Sequence, residues 1–210
     1  MKDEKTIMKE RCDLLGSGFS VVFWGIAVIE VLLLISGIWL AFQPATEFSA
    51  ILTDTPAGVQ GIIRFSGLKD GFMAELLSEM TFDPGILNEA AGQMPKYVYL
   101  ADHFSNVAVG IGVVFFLWYL KEIFRNIKRF ETPFIKENSR AIFGMGVALM
   151  VILAAKENLF ALLTFIKGVG TQGLYDIIDF YWIVPGSVFF CLSAVFDYGR
   201  VLQQESDETL

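Results

Sequence analysis

The chain has 210 residues, of which 54% are apolar and 20 are Phe, and a net charge of −7. Its apolar residues come in long unbroken runs, which argues against an ordinary soluble domain. The acidic balance argues against a nucleic-acid-binding face, so no direct nucleic-acid partner is expected.

Residues 1–18 mix Lys2, Lys5, Lys9 and Arg11 with Asp3, Glu4, Glu10 and Asp13. The apolar run Phe19–Phe42 that follows is too long for a signal peptide and predicts a retained transmembrane helix. An outer loop, 43–98, is too long for a plain connector and predicts local structure. Within it, KDGFMAELLSEM (69–80) places Phe72, Met73, Leu76, Leu77 and Met80 on one helical face. FDPGILNEAAG (82–92) offers Asp83 as N-cap, Pro84 at the first helical position and Gly92 as a stop. Two short amphipathic helices over the outer mouth of a bundle are expected.

Tyr99–Leu120 predicts the second span. The segment KEIFRNIKRFETPFIKENSR (121–140) carries Lys121, Arg125, Lys128 and Arg129 at helical spacing, then Lys136 and Arg140. Thr132-Pro133 reads as an N-cap with proline at the first helical position, so a tight hairpin near Phe130–Thr132 should lead into the third span, Ala141–Ile166. Leu174–Tyr198 predicts a fourth, kinked near mid-membrane at Pro185-Gly186. Ala108/Gly112 and Gly144/Ala148 have the small-residue spacing that lets helices approach closely. The fold expected is therefore all-α: an integral membrane four-helix bundle, a single domain over 1–210, with a partly helical extracytoplasmic loop between helices 1 and 2. Self-association into a homo-oligomer is left open.

Eleven of the sixteen Lys and Arg fall in 1–18, 121–140 and 199–210, and four fall in 43–98 and 167–173. This bias predicts a multi-pass protein of the cell (inner) membrane with both termini in the cytoplasm. Its first partner is the lipid bilayer. The six basic residues Lys121, Arg125, Lys128, Arg129, Lys136 and Arg140 would set topology, touch anionic headgroups, or form a surface for a cytoplasmic partner.

Ionisable residues inside the spans are the main functional candidates, because they are costly in lipid and normally face a bundle interior or a cavity. They are Glu30 in the first span, Asp102 and His103 near the outer start of the second, Lys156 and Glu157 in the third, and Asp176 and Asp179 in the fourth. At about 1.5 Å rise per residue, Glu30 lies roughly 16 Å, Lys156 roughly 22 Å and Asp179 about 28 Å from the cytoplasmic side. Glu30 and Asp179 are both within reach of Lys156. A structural ion pair, an outward-opening cavity for a small ligand or cation, and a transport pathway are the competing readings. Length favours a third helix that runs through Lys156-Glu157-Asn158.

No metal is expected, since Cys12 and Cys191 are isolated and Asp102 and His103 point about 100° apart on a helix. No catalytic or cofactor motif is present, so no enzyme and no cofactor are expected.

Two stretches, IFRNIKRFETPFIKENSRAIFGMG (123–146) and AVFDYGRVLQQESDETL (194–210), carry a family resemblance. Together they resemble the bacterial membrane family known as domain of unknown function 2975, which includes the YoaS-like proteins. The shared pattern is Phe-x-x-Ile, Thr-Pro-Phe and Glu-Asn entering a helix, then a Gly-Arg-x-Leu-Gln-x-Glu-x-Asp-x-Thr-Leu tail. The resemblance implies a four-helix membrane bundle with no defined catalytic residue. It also implies gene neighbourhood with a small helix-turn-helix regulator, and hence a regulatory pair. The function expected is a non-enzymatic sensor or regulatory partner of a cytoplasmic transcription regulator. The alternatives are self-protection (immunity) against a membrane-active peptide and a small transporter. The polar tail beyond the last helix is expected to be solvated; packing of Arg200 near Glu131 or Glu137 is the other arrangement.

Overall fold

The computed structural model describes residues 4–55, 58–67, 79–82, 94–168 and 183–208. Asp176 and Asp179, most of both expected loop helices and the start of the fourth expected span lie outside them. The side chain of Glu157 is likewise outside the description.

Long apolar runs become long helices. They are α1 (Glu4–Phe42), α2 (Met94–Phe130), α3 (Lys136–Ala154), a short α4 (Phe160–Ile166) and α5 (Ile183–Glu208). Among the described residues three helices are long and apolar enough to cross a membrane: Glu10–Phe42, Pro95–Phe130 and Lys136–Ala154. The expected fourth is not among them.

Between α1 and α2 lies a small antiparallel sheet that the loop reading did not anticipate. Its order is β1 (Phe48–Thr55), β2 (Gly58–Phe65), β3 (Glu79–Phe82). β3 takes Glu79 and Met80 out of the helix expected over 69–80, and its pairing puts Met80 opposite Ile63. Side chains alternate across a strand, so Gly61, Ile63 and Phe65 face inward while Arg64 points out and pairs with Glu79 at 2.6 Å.

The chain divides into two compact units. The helical unit comprises Met1–Val31, Ala108–Ala154 and Phe180–Leu210; the sheet unit comprises Leu32–Val107 and Ala155–Asp179. α1 and α2 contribute residues to both.

In the sheet unit, Leu40, Phe48, Ile63, Phe65, Val98 and Tyr99 form the core. Phe48 meets Phe65 at 4.9 Å and Tyr99 at 5.5 Å between ring centroids. The end of α1 is capped by Lys96, whose Nζ donates to the carbonyls of Ala41 (2.8 Å) and Gln43 (2.5 Å). This is the cation expected at a helix C-terminus, supplied by the first turn of α2.

In the helical unit, the small-residue spacings work as contacts between α2 and α3. Gly112 lies so close to Ile152 that a Cβ there would be 2.7 Å from its Cγ1, and Gly144 receives the ring of Tyr119. α5 lies along α3. Ser139 and Ser193 exchange hydroxyl bonds across it, each donating to the other's carbonyl at 3.0 and 2.8 Å.

The α2–α3 connection differs in detail from expectation. α2 ends at Phe130, Glu131 takes a left-handed φ of 58°, and α3 starts only at Lys136. Thr132 therefore does not cap a helix beginning at Pro133. Its Oγ1 accepts from Phe134 N–H at 3.2 Å and donates to Gln203 Oε1 at 2.8 Å. Asn138 closes the turn. Fully buried, it donates to the Pro133 carbonyl and accepts from Asn126, both at 3.0 Å.

The described tail is helical, with residues 204–208 exposed. α5 continues to Glu208, Gln203 joins the hairpin, and Arg200 pairs with Asp197 at 3.0 Å and Gln204 at 3.2 Å. Pro185 lies close to Ile183, where the described part of α5 begins, and the residues before Ile183, on which the expected kink depends, lie outside the described residues.

Candidate functional site

The run AKENL (155–159) forms a π-helical turn between α3 and α4. The chain remains helical to Ile166, as length suggested, but the α-helical geometry breaks at Lys156-Glu157-Asn158. Such single π turns are rare and recur at functional sites.

Lys156 lines a cavity of about 450 Å³ in the sheet unit. α2 supplies Tyr99, Asp102, His103 and Asn106 to the same cavity, and β3 supplies Glu79 and Thr81. Lys156 and Asp102 thus share one lining. Asp102 is held by Asn106, whose Nδ2 donates to Oδ2 at 2.9 Å one helical turn away. The cavity thus offers two carboxylates, Asp102 and Glu79, and one ammonium within a lining that also carries a phenol, an amide and an imidazole.

His103 is fixed by α1. Its Nε2 lies 2.9 Å from the Leu33 carbonyl, which can only accept, so Nε2 carries the hydrogen. Ser36 Oγ donates to the same carbonyl at 2.8 Å and lies 3.4 Å from Nε2. Gly37 makes this approach possible. A Cβ there would sit 2.7 Å from His103 Cδ2 and 3.0 Å from Nε2. Stacked beside the ring, Tyr99 completes the wall at 6.5 Å between centroids. His103 is therefore a packed, oriented residue.

Glu30 belongs to the helical unit, apart from this cavity's lining. Its carboxylate packs against Gly110 of α2, where any Cβ would overlap it, and its Oε2 is buried without a hydrogen-bond partner among the described residues. Of the sequence candidates, the structure thus brings Asp102, His103 and Lys156 together in one cavity. Tyr99, Asn106 and the Ser36–Gly37 pair were missed. Only the i, i+4 spacing of Asp102 and Asn106 signalled any of them in advance. Among the described residues no group of three or more His, Cys, Asp or Glu could hold a metal ion.

The six basic residues divide. Lys121 lies over the rings of Phe23 (4.5 Å) and Trp24 (5.9 Å), Arg125 pairs with Glu122, and Lys128 pairs with Asp13 at 2.5 Å. Arg129 lies over Phe130 at 5.1 Å, while Lys136 and Arg140 are exposed on α3.

No family model, curated protein or solved structure matches this chain.

Proposed function

We propose that this chain is a non-enzymatic, multi-pass inner-membrane sensor that reports to a cytoplasmic transcription regulator. The observation that carries the reading is the cavity in which Lys156, presented by a π turn, and Asp102, presented by α2, share one lining. A cavity with both charges and neutral donors suits a small zwitterionic or strongly polar ligand. The basic bias puts both termini in the cytoplasm and the sheet unit's loop outside. In that orientation Lys136 and Arg140, exposed at the start of α3, form the core of the surface offered to the regulator. The motif resemblance to domain of unknown function 2975 supports the same pairing with a helix-turn-helix protein.

The test is transcriptional. Deletion of the gene should change expression of its neighbours, and Lys156→Met or Asp102→Asn should reproduce the deletion while the protein still reaches the membrane. Unchanged expression on deletion would end the sensor reading.

A further inference from the structure

The helical unit contains a second cavity, of about 520 Å³, which the sensor reading does not use. α1 contributes Asp13, Ser17 and Ser20 to it, and α2 contributes Lys121, Arg125 and Lys128. The three cations follow one another at i, i+4 and i+7, on one face of α2. Among these six residues they outnumber the single carboxylate three to one.

Val21 and Phe124 line the cavity as well, and Phe124 is stacked on Phe19 at 5.6 Å with the rings nearly parallel. Just past Ser20, α1 exposes Val21, Val22 and Trp24. Lys121 sits at the changeover, its ammonium over Phe23 and Trp24. A basic recess opening onto an apolar helix surface, at the end of two helices able to cross a membrane, matches an amphiphile with an anionic head.

The existing partners of the cations do not block such a ligand. Lys128–Asp13 joins side chains that are 52% and 59% exposed; Arg125 is 69% exposed, although its partner Glu122 is only 17% exposed. Exposed pairs of this kind contribute about 0–1 kcal/mol and exchange readily for a doubly accepting phosphate. The guanidinium of Arg125 presents the planar fork that matches a phosphate, while Lys121 and Lys128 flank it as point charges.

We infer that this groove binds the phosphate headgroup of an anionic phospholipid, with the acyl chains along α1 beyond Ser20. General attraction of a basic segment to the membrane surface would involve Lys136 and Arg140 equally; a site would not.

That difference gives the experiment. The full chain, purified in a neutral detergent, is titrated with phosphatidylglycerol, phosphatidylcholine or inorganic phosphate, and bound molecules are counted by native mass spectrometry. Phosphatidylglycerol should be retained in preference to phosphatidylcholine. Each charge near an anionic lipid contributes roughly fivefold, so Lys121→Gln/Arg125→Gln should weaken binding about 25-fold. Lys136→Gln/Arg140→Gln removes the same charge and should change it less than about twofold. Equal losses in the two variants, equal retention of phosphatidylcholine, or inorganic phosphate binding with the same sensitivity would each overturn the assignment. Should the double variant misfold, Arg125→Gln alone must still weaken binding about fivefold. The lipid site and the sensor reading fail separately, because the first is read in purified protein and the second in gene expression.

Discussion

Gly37→Ala should destabilise the protein in one background and stabilise it in another. In the wild type, a methyl at 37 lies 2.7 Å from His103 Cδ2, 3.0 Å from Nε2 and 3.1 Å from Phe104 Cε1. The imidazole must move, and its 2.9 Å bond to the Leu33 carbonyl is lost. That bond contributes about 1 kcal/mol, and overpacking adds roughly 1–3 kcal/mol. Alanine is about 1 kcal/mol better than glycine inside a helix, so the net loss is about 1–3 kcal/mol. In a His103→Ala background the imidazole is gone, and the helix preference is opposed only by the 3.1 Å contact with Phe104 Cε1, the far edge of a ring that can shift by a few tenths of an ångström. There Gly37→Ala should gain up to about 1 kcal/mol. The coupling between the two sites is therefore about 2–4 kcal/mol, large for a pair separated by 66 positions in sequence but ordinary for side chains in contact. Equilibrium unfolding by SDS titration in mixed micelles measures all four corners of the cycle. If Gly37→Ala has the same sign with and without the imidazole, the Gly37–His103 packing described above is wrong.

Two further substitutions test other parts of the fold. Asn138→Ala breaks two buried bonds and leaves the Asn126 amide without its acceptor, while the Pro133 carbonyl keeps the Ile135 N–H, so it should cost about 1–3 kcal/mol in the same titration, whereas Lys136→Ala nearby should be close to neutral. Phe65→Ala removes a ring packed against both Phe48 and Trp39; it should cost about 3–5 kcal/mol and open the 48–82 region to limited proteolysis, while Arg64→Ala on the outer face should cost less than about 1 kcal/mol.

The helices were legible because a chain in lipid must satisfy its backbone internally, and long apolar runs leave few other ways to do so. The sheet was not. β1 and β2 flank Pro56-Ala57 rather than the Asn-Gly or Asp-Gly that marks a tight hairpin, and β1 reads FSAILTDT, with Ile51 on its exposed face blurring the alternation. The candidate site was half legible. Ionisable residues in apolar runs singled out Asp102, His103 and Lys156 on cost alone, and the cavity contains them. Their neighbours could not be read, because Leu33, Ser36 and Gly37 look like ordinary helix residues until α2 is laid beside them. Depth arithmetic offered Glu30 to Lys156 as a partner, but depth carries no information about azimuth. In the structure Glu30 turns to Gly110, and Asp102 shares the lysine's cavity.

The paired hydroxyls of Ser139 and Ser193 have a consequence for how the protein is made. α3 is the least apolar of the three helices able to cross a membrane, and much of its surface is buried inside the protein. It leaves the ribosome before the helix that satisfies it. Until α5 follows, Ser139 lacks the Ser193 carbonyl to which it donates, and Thr132 lacks Gln203. Residues synthesised later therefore complete an earlier segment. A chain stopped before Ser193 would present α3 to the insertion machinery, and then to quality-control proteases, as an unfinished helix.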